Sequence, residues 1–317
     1  MATLCDLATR LPLVIGGLLD RETNLKRGRF REETMTDILT GALAAFAGPE
    51  LVISYPIEKD TGGDLDLRFW NVSEGRDLWV RIQAKRLNAA VVQNKNRSYS
   101  ELLHRPSPKH DYQFRTLRDT PPPWVPLYLF YNHASVTMDP NFRGLVPSVS
   151  GANLAFASDI AAELEAKLAG ASGTPKTGAL NKRLSHLRPH LFCLEALLCP
   201  RSTVRSETVP TPDTVSASLR ERYVRSAPAR PRERYGDETF RRLSEPHELM
   251  TADGIGRTLQ DGPAVRNRPA ARLPVSYVHL RSHRRLPYAC HQRRALTARL
   301  SWGSPLIGIG WLNWGAD

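Results

Sequence analysis

From Arg31 onward the apolar positions Met35, Ile38, Leu39, Ala42, Leu43 and Phe46 recur at steps of three and four residues, the period of a helix with one buried stripe. Gly48-Pro49 ends the run. Leu51 to Ile57, rich in β-branched and aromatic residues, then predicts a strand, and Asp60-Thr61-Gly62-Gly63 a turn. Between Asp64 and Trp70 the chain alternates strictly: Leu65, Leu67 and Phe69 share one face, Asp64, Asp66 and Arg68 the other. Leu78 to Leu87 repeats the pattern, with Val80, Ile82 and Ala84 opposed to Arg81, Gln83 and Lys85. Three such strands in succession predict a meander.

Ser98 to Arg118 has helical spacing at Tyr99, Leu102, Leu103, Phe114 and Leu117, interrupted by Pro106 and Pro108, which predicts one broken helix or two short ones. Val125 to Tyr131 is a short apolar run suited to a strand in the centre of a sheet, and a helix before it permits a parallel crossover. Ala155 to Leu168 and Asn181 to Leu198 predict helices that cover a flank of the sheet. The expected fold is therefore α/β. A core of helix, three-strand meander, helix and strand occupies residues 30–131 of a domain spanning 1–200, with a mixed sheet, flanking helices and a largely irregular extension over 201–317.

Charge changes the picture mainly for that extension. The formal net charge of +12 divides into +3 up to Pro200 and +9 beyond it. Lysine is absent after Lys182, while arginine and proline recur without a sustained period, the composition of a disordered tail or of an arginine-rich arm for nucleic acid. The cysteines, Cys5, Cys193, Cys199 and Cys290, lack the close spacings of a zinc site and read as idle thiols in a reducing cytoplasm. No apolar run reaches membrane-spanning length, and Leu11 to Leu19 lacks the basic flank and cleavage site of a targeting segment. The expected location is the cytoplasm, with no membrane contact.

Candidate chemistry lies on the polar face of the meander. Hydrolysing a phosphodiester needs charge neutralisation, an activated water and a stabilised leaving oxygen, all of which a hard divalent cation can supply. Mg2+ (or Mn2+) is satisfied by one or two carboxylates plus neutral oxygens and water. Asp64, Gln83 and one of the acids Glu32 and Glu33 offer that set, and Lys85, two residues beyond Gln83, projects to the same face. Glu32 lies at the edge of the helix's buried stripe and Glu33 points away from it, which favours Glu32. Asp66 is an accessory ligand or an arginine partner. Arg81, Arg86 and Lys95 are candidate phosphate contacts. A solvated sheet face would carry the same residue types, so a wet, non-catalytic α/β domain is the plainest alternative.

The runs Gly62-Gly63-Asp64 and Ile82-Gln83-Ala84-Lys85-Arg86 resemble the Mrr-type branch of the PD-(D/E)xK nuclease superfamily, where Q-x-K replaces D/E-x-K, and the predicted element order is similar to that superfamily's core. More closely, Arg31-Glu32-Glu33-Thr34, Gly63-Asp64, Gln83-Ala84-Lys85-Arg86 and Tyr128-Leu129-Phe130-Tyr131-Asn132-His133 resemble an uncharacterised bacterial family assigned to that fold by pattern. The resemblance covers Arg29 to His133 and lacks the proline before the aspartate. It implies that Asp64 and Gln83 are metal ligands, Lys85 is the catalytic lysine and Glu32 assists. Similar families place polar side chains over the site from the following helix, which brings in Tyr99, Tyr112 and Gln113, and His133 is a candidate proton shuttle. A nuclease acting on nucleic acid, DNA in preference, is the implied function. Nucleases of this kind that cut both strands often form homodimers. An inactive nuclease-fold module that binds nucleic acid or protein is the alternative.

Overall fold

The computed structural model describes residues 3–25, 30–71, 73–88, 97–99, 101–107, 109–169, 183–200, 209–226, 237–244 and 247–248. All of them fall in the unit Met1–Gly262. The elements are α1 (Leu4–Asp20), α2 (Glu32–Leu43), β1 (Leu51–Ser54), α3 (Glu58–Thr61), β2 (Leu65–Asn71), β3 (Arg76–Asn88), β4 (Ser98–Tyr99), α4 (Gln113–Arg118), β5 (Trp124–Tyr131), α5 (Ala134–Thr137), β6 (Ala152–Phe156), α6 (Ala157–Ala169), α7 (Leu184–Leu187), β7 (Phe192–Cys193), α8 (Glu195–Leu198), α9 (Pro212–Arg225), α10 (Glu238–Ser244) and β8 (His247–Glu248).

The sheet order is β1-β2-β3-β5-β6-β7, with β4 and β8 each pairing with β3. β1, β2 and β3 are antiparallel, as the meander requires; β5 joins β3 in parallel after the α4 crossover, and β6 returns antiparallel to β5. The α/β fold with a mixed sheet and flanking helices is thus the one expected.

Strand alternation sorts the core into two layers. Leu65, Leu67 and Phe69 of β2 and Leu78, Val80 and Ile82 of β3 pack with Leu11, Ile15 and Leu19 of α1, Met35 and Leu39 of α2, and Val215 and Leu219 of α9. Tyr128 and Phe130 of β5 face the other way, among Phe114 and Leu117 of α4, Ile160 and Leu164 of α6 and Leu187 of α7. The polar positions of β2 and β3 belong to this second face, and α4 adjoins it at the Gly62 turn before β2.

Four expectations need correction. The region 98–118 holds the short strand β4 and a helix only from Gln113, because Pro106 and Pro108 break the helical path. Residues 152–156, read partly as helix, are a strand buried at every position, which erases the alternation that marks half-buried strands. The packed unit also continues past Pro200: α9 carries a Thr211 N-cap and buries Val215, Leu219 and Tyr223. Residues 249–317 of the expected tail lie outside the described ones. Finally, Cys5 and Cys199 are not idle thiols. They form a disulfide across a Cα–Cα distance of 4.8 Å, joining the start of α1 to the end of α8. Cys193 is a free thiol. No helix among the described residues is long and apolar enough to cross a membrane.

Candidate active site

Asp64 stands in the bend just before β2, and its backbone N–H donates to Ile82 O at 2.8 Å, which sets it opposite Gln83. The turn is built by glycine. Gly62 caps α3 with a left-handed φ of 71°, and a Cβ there would come within 2.9 Å of the Leu117 backbone nitrogen in α4. The two helices therefore meet directly over the Asp64 turn.

Asp64 Oδ2 accepts from Gln83 Nε2 at 2.6 Å and from the Ala84 backbone N–H at 2.8 Å. Lys85 Nζ donates to Glu32 Oε1 at 3.1 Å, and the Arg86 backbone N–H donates to Glu32 Oε2 at 3.0 Å. Gln83 is wholly buried and Lys85 is 2% exposed. The backbone N–H groups of Ala84 and Arg86, on either side of Lys85 in β3, thus hold the Asp64 and Glu32 carboxylates. Glu33, by contrast, is exposed and stands apart from them, as the helical phase requires.

Electrostatics reflect the crowding. Burial pushes the Asp64 carboxyl up to about 7, with Glu32 and Glu58 adding negative charge and Lys85 opposing them. Burial also raises Glu32, against Lys85 and the Arg86 N–H. Tyr128, which faces Gln83 from β5, is raised by burial and by the charges of Asp64 and Glu32. A cation placed here would return both carboxylates to their charged form.

The residues fit such a cation. Gln83 Oε1 is buried without a hydrogen-bond partner among the described residues, and an orphaned amide oxygen beside a carboxylate is the hard-donor pairing that Mg2+ accepts. The set is sparse: the described residues hold no group of three or more His, Cys, Asp or Glu placed to ligate a metal. Asp64, the Gln83 carbonyl oxygen and water would have to suffice.

A family model described as a family of unknown function (DUF6615) matches residues 4–298. The chain belongs to that family. No curated protein matches it.

In this DUF6615 member the other described site candidates have partners of their own. Asp66 is held by Arg81 in a two-pronged ion pair of 2.9 and 2.8 Å, and both are buried. Arg81, expected as a phosphate contact, is thus engaged by Asp66. Arg86 pairs with Glu22, its Nε buried without a partner among the described residues. Tyr99 sits in β4 rather than a helix and donates to Asn132 Oδ1 at 2.6 Å, away from Asp64. Gln113 opens α4 and donates to Glu58. Tyr112 stacks under Arg105, 4.1 Å from its ring centroid. His133 is buried with Nδ1 3.3 Å from Asp20 Oδ1 and Nε2 without a partner among the described residues, and burial holds it below the ordinary imidazole range. Lys95 lies outside the described residues.

Three neighbours escaped sequence reasoning. Glu58 falls between the expected strand and the expected turn, and the α3–α4 contact brings it toward Asp64. Asp20 and Glu22 belong to the end of α1 and the 3-10 turn Arg21–Asn24, far away in sequence from the Arg86 and His133 they face. The regular spacing of Leu4, Ala8, Leu11, Ile15 and Leu19 could have revealed α1, but Pro12 and Gly16-Gly17 obscured it.

Proposed function

We propose that this chain is a Mg2+- or Mn2+-dependent nuclease of the PD-(D/E)xK type that hydrolyses phosphodiester bonds of nucleic acid, DNA in preference. One observation carries the reading: Asp64, Gln83 and Lys85 share one sheet face, Glu32 of α2 reaches Lys85, and Gln83 Oε1 is buried beside the Asp64 carboxylate with no partner among the described residues. The order of helix, three antiparallel strands, helix and parallel strand supports it as well.

Asp64 and the Gln83 carbonyl oxygen would hold the cation, which when bound supplies phosphoryl charge neutralisation and a more acidic water. The Ala84 N–H fixes the Asp64 carboxylate. Lys85 brings a compact positive charge that can hold a phosphate oxygen. Glu32, clamped between Lys85 Nζ and the Arg86 N–H, orients that ammonium.

The test incubates the full chain with single-stranded DNA, duplex DNA and RNA, with and without Mg2+ or Mn2+, beside a Lys85→Ala control. Metal-dependent cleavage that the control lacks is the expected result. Binding without cleavage would instead support an inactive nucleic-acid-binding module. If both strands of a duplex are cut, sedimentation should show a homodimer.

A further inference from the structure

The face that carries Asp64 and Gln83 continues into a ladder of tryptophans and arginines. The guanidinium of Arg68 lies 4.3 Å from the ring centroid of Trp70 and 4.4 Å from that of Trp79. Trp79 meets Trp124 edge-on at 4.8 Å, and Arg81 lies 4.2 Å over Trp124. Phase puts these side chains on the candidate-site face. Arg68 and Trp70 follow Asp64 at even steps on β2, Trp79 and Arg81 precede Gln83 at even steps on β3, and Trp124 pairs with Trp79 in register.

We propose that this ladder is a base-stacking platform, so that the polymer drawn across the candidate site is single-stranded or locally unpaired nucleic acid. The use of the platform rests on the nuclease reading; its ability to bind does not.

Three features favour stacking over a purely structural role or a phosphate-binding one. Asp77 and Asp66 neutralise Arg68 and Arg81, so the ladder of indole rings and the guanidinium planes lying over them carries little net positive charge. Trp70, Trp79 and Trp124 each keep part of their surface open, and a strand interior needs no such row of indoles. The Trp70 indole N–H is also without an acceptor among the described residues, so hydrogen bonding does not account for a tryptophan there. Aromatic faces grip unstacked bases whatever their sequence, whereas a duplex hides its base faces. Trp79 lies four residues before Gln83, about 13 Å along the strand. That spans about four stacked nucleotides, so bases held on the ladder would leave a nearby phosphate at Asp64.

The test measures affinity by fluorescence anisotropy in EDTA, which removes cleavage from the readout. The full chain is titrated with an oligothymidine of about twelve nucleotides, an abasic strand of equal length and a matched duplex. Oligothymidine should bind about tenfold tighter than either and quench tryptophan emission, and Trp70→Leu should remove about tenfold of that affinity. Equal affinity for thymidine and abasic strands, in the unaltered protein, would overturn the platform, as would absence of binding to either. Because that comparison needs no variant, a poorly folding Trp70→Leu chain does not blunt it. Cleavage without base-dependent binding would refute the platform and leave the nuclease standing; base-dependent binding without cleavage would do the reverse.

Discussion

Glu32 Oε1 accepts from Lys85 Nζ at 3.1 Å while its other oxygen accepts from the Arg86 backbone, which pins the first turn of α2 to the middle of the sheet. Glu32 is 22% exposed at its side chain and Lys85 only 3%, so removing one partner strands the other in a poorly solvated place. Glu32→Gln should cost about 2–4 kcal/mol in urea unfolding, toward the lower part of the range for broken buried pairs because Glu32 is partly wet. Glu32→Gln with Lys85→Met should recover much of that loss. If the double variant is less stable than the sum of the two singles, the two residues are not a compensating pair.

Asp64 predicts a pH dependence whose sign can be fixed. In the unfolded chain an aspartate ionises near pH 4, whereas burial holds the Asp64 carboxyl protonated up to about 7. Across that interval the folded state binds the extra proton, so stability falls as pH rises and is lowest above the interval. Asp64→Asn offers Gln83 Nε2 and the Ala84 N–H an acceptor without a charge, so its melting temperature should exceed that of the unaltered chain at pH about 8 and fall less steeply between about 4 and 7. Mg2+ should raise the melting temperature of the unaltered chain there and leave the Asp64→Asn variant unmoved.

Much of this arrangement was legible because apolar and polar residues alternate strictly along β2 and β3, so period alone assigns Asp64, Gln83 and Lys85 to one face, although both faces of these strands are largely buried. Helical phase likewise separates Glu32 from Glu33. Legibility failed where burial is complete, as in β6, whose residues Ala152–Phe156 leave no polar side to read. It failed again where composition overrode pattern: arginine-rich surroundings concealed the four-residue spacing of Val215, Leu219 and Tyr223 in α9. Contacts such as Asp20 with His133 depend on how α1 docks, which no local window contains.

The Cys5–Cys199 bridge closes a loop of 194 residues in sequence separation. Restricting an unfolded chain over so long a loop is worth about 2–5 kcal/mol. Cys199→Ser should therefore lower the melting temperature measured without reductant, and dithiothreitol should lower that of the unaltered chain to a similar value. A variant that melts with the unaltered chain in both conditions would show that the bridge contributes nothing to stability.

Arg81 separates a structural arginine from a phosphate-binding one. Its Nε and Nη2 both engage Asp66, and its guanidinium covers Trp124. Burial already raises the Asp66 carboxyl against this pairing, so Arg81→Met would leave that group buried with no cation and should cost about 3–5 kcal/mol. Arg81→Lys should rescue little, since an ammonium cannot reproduce the fork or the flat stacking surface. A phosphate contact behaves differently: its loss would spare stability and reduce the salt dependence of nucleic-acid affinity by about one in slope. Thermal melts of both variants, set beside their binding slopes between low and moderate salt, should show lowered melting temperatures and unchanged slopes. Unchanged melting with a shallower slope would reassign Arg81 to the nucleic-acid interface.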